Sequence, residues 1–268
     1  MSMSISPASI SCYLNVIRLL HLESGFPNPL HHNFYLSSLL RGIRRNLSTP
    51  PKQKLPMTPS ILLSMYTQLD LSNPIMVSFW AASLVAFFCF FRKSTLLPNS
   101  SVHNCSTQMC VSDVTISDSL ALIKVKHTKT LQFRDRLLQV PLPLIPGSPL
   151  CPVTPLRSLL HPSLPIPPHA PLFSYPLPKG GYSFLTHNSF SRLLRLTLSS
   201  CGISPSDYSG HSFRRGGASF AFSLGVPSEL IKAQGDWSSD VYIRYLSSPL
   251  SDRIKLANLM AHNVPKKL

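Results

Sequence analysis

The hydrophobic and polar positions along this chain change period several times, and each change predicts an element. Leu62, Leu63, Tyr66 and Leu69 fall on one face of a helix that Thr58 or Ser60 caps. The seventeen residues of 75–91, IMVSFWAASLVAFFCFF, then carry no charge and end against Arg92 and Lys93. A run that is apolar all round is either a helix buried inside a large domain or a short membrane span. Between 111 and 125 the residues alternate on either side of Ser117-Asp118-Ser119, which predicts a β-hairpin, and 137–142 supplies a third strand. The helical period returns after Thr186, with Phe190, Leu193, Leu194 and Leu198 inward, Arg192 and Arg195 outward, and a stop at Gly202. These elements predict a mainly α fold with a small antiparallel β-sheet.

Weaker patterns divide the chain. Residues 13–22 and 34–43 have helical periodicity, the second ending in the basic RGIRR of 41–45. Residues 48–59, STPPKQKLPMTP, lack apolar periodicity and read as a linker. Residues 141–178 hold thirteen of the twenty-six prolines, a density that forbids long helices. An insertion of extended segments along the surface, broken by one short helix near 153–160, is expected there. The expected division is a partial helical domain over 1–47, a linker over 48–59 and a larger domain over 60–268.

The chain concentrates its polar chemistry in 210–246. His211 and Arg214 stand three apart, so both project from one face at the start of a helix and can converge on one anionic group. The helix N-terminal amides add to the attraction for a phosphate. Gly216, Gly217 and Ala218 permit close packing, and Gly225 ends the helix. Pro227 and Gly235 bracket the next helix. Trp237 then begins a short helical run in which Tyr242 and Tyr245 share a face.

Composition narrows the partner. The 268 residues are 44% apolar, enough to bury a core, and 25 Lys and Arg against 10 Asp and Glu give a net charge of +15. That balance favours a polyanion, either nucleic acid or an anionic membrane surface. The six cysteines form no C-x-x-C pair and read as reduced thiols. His103, Cys105 and Cys110 lie close together without a fourth ligand at suitable spacing, so no metal is expected.

H-x-x-R at 211–214, Gly-Asp-Trp at 235–237 and a tyrosine eight residues further on resemble the C-terminal signature of the tyrosine recombinases, or phage-type integrases. The eukaryotic branch carried by Crypton and DIRS-like mobile elements is most similar, because it also reads GDW or GRW, then S-D and R-Y. The resemblance implies a DNA breaking-rejoining catalytic fold, with 1–47 as the last helices of an incomplete core-binding (SAM-like) domain, either because the chain is a fragment or because the element has decayed. It implies Arg92, Lys129, His211, Arg214, Trp237 and Tyr245 as catalytic residues. Arg92 and Arg214 would neutralise the phosphate, His211 would help take the Tyr245 proton, and Lys129, in the string T-K-T, would protonate the leaving 5′-oxygen. Lys124 and Lys126 remain alternatives to Lys129, and Tyr242 packs beside the nucleophile. Thr95 departs from the pattern, since many relatives place Glu or Asp there.

Contacts to double-stranded DNA are expected from Arg41, Arg44, Arg45, Lys52, Lys54, Lys93, Lys126, Arg192, Arg195 and Arg215. The resemblance implies no cofactor, a homotetramer on DNA, a nuclear location and, because the catalytic domain has a buried helix where 75–91 falls, no membrane. Two other classes stay open: a non-catalytic DNA-binding module descended from a recombinase, and a basic protein anchored by 75–91.

Overall fold

A computed structural model describes residues 5–47, 53–127 and 138–237. They fall into two compact units that divide between Gln53 and Lys54. In the first unit, Ser6 caps helix α1 (Pro7–Glu23) by accepting the Ser9 amide at 3.1 Å. Helix α2 (Phe34–Leu47) follows, and Arg44 Nη2 donates to Ser11 Oγ at 3.2 Å, tying α2 to α1. Arg41 and Arg45 stay exposed.

The second unit is built around helix α4 (Pro74–Phe88), which Asn73 caps and in which every residue from Ser78 to Phe87 is buried. All-round burial explains why the sequence showed no amphipathic stripe. Its polar atoms are satisfied: Ser78 Oγ donates to the Phe173 carbonyl at 2.8 Å, and Trp80 Nε1 to the Pro149 carbonyl at 3.2 Å. Burying side chains such as Phe79 and Leu84 stabilises the fold by about 1.5–3 kcal/mol each. No helix among the described residues is long and apolar enough to cross a membrane.

Around α4 lie α3 (Pro59–Tyr66), capped by Thr58, and a three-stranded antiparallel sheet of β1 (Val114–Ile116), β2 (Leu120–Val125) and β3 (Leu138–Pro143) in that order. In the register, Ile123 faces Val114 on one side and Val140 on the other. Ala121, Ile123, Val125, Val140 and Leu142 are buried, while Lys124 points out. Pro141 and Pro143 are tolerated because β3 is an edge strand. Three expectations need correction. Leu63 is 45% exposed, and Met65 takes its place beside Leu62 on the buried face of α3. The 75–91 helix stops at Phe88, because Phe90 turns into the left-handed region at φ 53. The Pro-rich stretch does not keep to the surface: Val153, Pro155, Leu156 and Leu159 of helix α6 (Val153–Leu159) and the segment around Ala170, Leu172 and Phe173 are buried in the core. It also contains β4 (Ser174–Pro176), which pairs with β5 (Tyr182–Phe184) across a turn where Gly180 and Gly181 hold φ of 88 and 76.

Helices α7 (His187–Ser200), α8 (Gly210–Ser223) and α9 (Ser228–Gln234) complete the unit. Packing of α8 depends on its glycines. A Cβ at Gly216 would lie 1.8 Å from the Met57 carbonyl oxygen, and one at Gly217 would lie 2.0 Å from that of Phe87. Both obstacles are backbone. The expected linker is therefore partly strapped down: Leu55 N donates to Asp207 O and Met57 N to Ser212 O, each at 2.8 Å. Gly216→Ala is expected to lower stability by at least about 1–3 kcal/mol, the usual cost of overpacking, read as an earlier midpoint in urea unfolding. An unchanged midpoint would mean that the strap yields freely.

Candidate active site

The site forms where two turns, at Phe90 and at Gly235–Asp236, meet the first turns of α8. Ser209 caps this helix, accepting the His211 amide at 3.2 Å, while Ser212 Oγ accepts the Ser209 amide at 3.0 Å. The His211 amide is thus taken by the cap serine, and the Ser212 amide bonds the Ser209 carbonyl at 2.9 Å. The helix dipole adds to the attraction for a phosphate at this end. His211 lies partly exposed at this end, one turn before Arg214.

Arg214 differs from expectation. Its side chain is 2% exposed, and Nη1 donates to two backbone carbonyls, that of Phe90 and that of Gly235, the latter at 2.9 Å. The guanidinium carbon stands 3.8 Å from the centroid of the Trp237 ring, a cation–π contact, and Trp237 packs on Phe90 with ring centroids 6.2 Å apart. Arg214 is therefore buried, and its Nη1 ties the turns at Phe90 and Gly235 to α8. Both carbonyls belong to unusual turns. Phe90 has φ 53, and Asp236, next to Gly235, has φ 51. Non-glycine residues reach that region at a cost, which surrounding contacts must offset. Gly235 is required for a different reason: a Cβ there would lie 1.8 Å from the Trp237 ring.

The first of these turns delivers Arg92 and Lys93. Arg92 is the extended N-cap residue of the short helix α5 (Lys93–Leu96), half-buried, rather than the last residue of the preceding helix. The Lys93 stem lies against Gly210, and Nζ donates to Ser191 Oγ at 3.2 Å. Together these residues set the electrostatics of His211. Partial burial lowers its pKa, and the charges of Arg214, Arg92 and Lys93 lower it further. Among the described residues, every charge acting on His211 is positive. The imidazole is consequently neutral near pH 7 and has a free nitrogen for a proton.

The other expected residues separate into groups. Arg192 and Arg195 are exposed on α7. Three expected DNA contacts have other partners. Lys126 Nζ pairs with Asp113 Oδ2 at 2.8 Å; burial opposes its charge, but the bond and charge of Asp113 outweigh that and raise its pKa. Lys54 Nζ donates to the Ser206 carbonyl, and Arg215 Nη1 donates to the Lys54 carbonyl at 2.7 Å. Lys52, Lys129, Tyr242 and Tyr245 lie outside the described residues. The bracing carbonyls of Phe90 and Gly235 had no sequence signal, because any residue carries a carbonyl. Lys93 was legible as basic but not as a neighbour of His211, since that contact joins segments more than a hundred residues apart.

The His211 environment has a pH signature. Between its depressed pKa and the unfolded value of about 6.5, the unfolded chain binds the proton and the folded chain resists it. Stability at His211 is therefore expected to rise with pH through that window and to level off above it. An NMR titration should place the His211 midpoint below 6.5, and His211→Asn should flatten that part of the stability curve. A midpoint at or above the unfolded value would rule out the cationic surroundings.

No protein-family model and no curated protein matches the sequence. Solved structures do. The XerH site-specific recombinase bound to difH substrate, in a pre-cleavage complex, is similar with a TM-score of 0.52 and 14% identity, over 95% of this chain and 70% of that one. XerA recombinase is similar with a TM-score of 0.52 and 16% identity, over 100% of this chain and 86% of that one. The Tn1549 transposon integrase in complex with circular intermediate DNA is similar with a TM-score of 0.58 and 14% identity, over 95% of this chain and 80% of that one. The chain has the catalytic fold of the tyrosine recombinases.

Proposed function

We propose that this protein is a tyrosine recombinase that cleaves and rejoins double-stranded DNA in recombination or transposon integration. The observation that carries the reading is the meeting of Arg92, His211, Arg214 and Trp237 at one place in this fold. A phosphodiester resists attack because its charge repels nucleophiles, so catalysis needs cations on the non-bridging oxygens, a placed nucleophile and a proton for the leaving alkoxide. Arg92 supplies a cation at the open face. Arg214 adds positive potential from behind and holds the turns on which Arg92 and Trp237 depend. Neutral His211 accepts the proton of the attacking tyrosine.

The remaining roles rest on sequence. Tyr245 Oη attacks the phosphorus, the bond to the 5′-oxygen breaks, and Lys129 gives that oxygen a proton. The product is a 3′-phosphotyrosyl link. One ester replaces another, so rejoining needs no ATP. The DNA complexes among the similar structures support a DNA partner. Membership of the Crypton and DIRS-like branch, a tetrameric assembly on DNA and action in the nucleus belong to the same proposal and rest on the GDW, S-D and R-Y resemblance.

A second reading, a DNA-binding module without strand cleavage, is favoured by Thr95 at the position where many relatives hold a carboxylate. Incubation with nicked or half-site DNA separates the two. An adduct that survives denaturation and disappears in Tyr245→Phe is expected. Persistence of the adduct in Tyr245→Phe with loss in Tyr242→Phe would transfer the nucleophile to Tyr242. DNA binding without any adduct would favour the second reading.

A further inference from the structure

We infer that Lys93 contacts the phosphate in this site, its ammonium standing with Arg92 and His211 at the open face while Arg214 braces the site from within. The inference rests on reading this cleft as a phosphodiester site. Four observations carry it.

The first is position. The left-handed turn at Phe90 sends Arg92 and Lys93 out consecutively, and the Lys93 stem runs along the start of α8: a Cβ on Gly210 would lie 3.0 Å from Lys93 Cβ and 3.3 Å from its Cδ. Only glycine at 210 leaves that path open without displacing the stem. The second is anchoring. Lys93 Nζ donates to Ser191 Oγ at 3.2 Å, and Ser191 Oγ donates to the His187 carbonyl at 2.8 Å, so the ammonium is fixed between α7 and α8. An ammonium has three donors, and a hydroxyl uses one.

The third is the missing counter-charge. Among the described residues no ion pair involves Lys93, and the charges acting on His211 are those of Arg214, Arg92 and Lys93. Lys93 also acts on His187, whose pKa is lowered by burial first and by Lys93 second. Like charges gathered this closely repel one another by an amount that a bound anion would reverse. The fourth is exposure: Arg214 is buried, whereas Arg92 and Lys93 beside His211 are both partly open to solvent.

Inorganic phosphate is the probe, added to the full chain while the His211 ring signals are followed by NMR. Phosphate should move these signals saturably and raise the His211 midpoint. Lys93→Gln should require roughly tenfold more phosphate for the same response, whereas Lys179→Gln, which removes an exposed lysine from another surface, should match the unaltered chain. Lys93→Arg should keep most of the response. On duplex DNA, Lys93→Gln should also shrink the salt slope by about 0.9, the value of one phosphate contact. A response in Lys93→Gln equal to the unaltered chain, equal weakening by Lys179→Gln, or no response at all would overturn the inference. Thermal unfolding of each variant identifies any loss that comes from misfolding. The outcome does not depend on strand cleavage: phosphate bound through Lys93 by a chain that forms no adduct would uphold this inference and count against the recombinase reaction alone.

Discussion

The site depends on one guanidinium. Arg214 reaches from α8 to the carbonyls of Phe90 and Gly235, and these lie at two turns whose backbones enter the left-handed region. Such turns are unfavourable by themselves and persist where their surroundings hold them. One turn launches Arg92, the other Trp237, and Trp237 closes the arrangement by covering the guanidinium at 3.8 Å. Both carbonyls accept from Nη1, and the plane of the guanidinium lies over the Trp237 ring. Lysine has the charge but no planar group to stack on an indole, so the two residues are not equivalent here.

That brace works because α8 is held against rigid partners. Gly216 and Gly217 bring its axis into contact with the backbone of Met57 and the end of α4, where side chains would keep the helices apart. The same approach lets the strap at Leu55 and Met57 bond across to Asp207 and Ser212. Since α4 is buried all round, the carbonyl of Phe90 two residues beyond it has little freedom to follow a displaced Arg214. Close packing thus converts backbone contacts into side-chain placement at the site.

Much of this was legible in the sequence where the signal was local. The alternation around Ser117-Asp118-Ser119, the Thr186 cap and the Gly-bracketed helix of His211 are each encoded within a few residues, and the structure places them as expected. The errors came from contacts between distant segments. Nothing in Phe90 announces a positive φ, and the side chain that bonds its carbonyl, Arg214, is 124 residues away. Lys54, Lys126 and Arg215 read as basic surface, yet each has a protein acceptor from another element. The proline density of 141–178 correctly excluded long helices, but it hid the burial of Leu172 and Phe173, since proline restricts the backbone and says nothing about which side chains face inward.

The electrostatic arrangement is selective about what it will bind. The Ser209 side chain occupies the His211 amide and the Ser209 carbonyl the Ser212 amide, so the start of α8 offers an anion fewer backbone donors than a glycine-rich phosphate loop does. Side-chain charge and the helix dipole add to the attraction. A neutral imidazole at His211 serves this better than a charged one: it keeps the cluster from becoming still more positive in the empty site, and it retains an acceptor for a proton. In the proposed reaction, an anion bound here would oppose the charges that add to burial in lowering the imidazole pKa, so the ring would gain affinity for a proton as the nucleophile loses one. The cluster therefore links phosphate binding to proton acceptance without movement of the frame, because the braced turns already hold Arg92 in place.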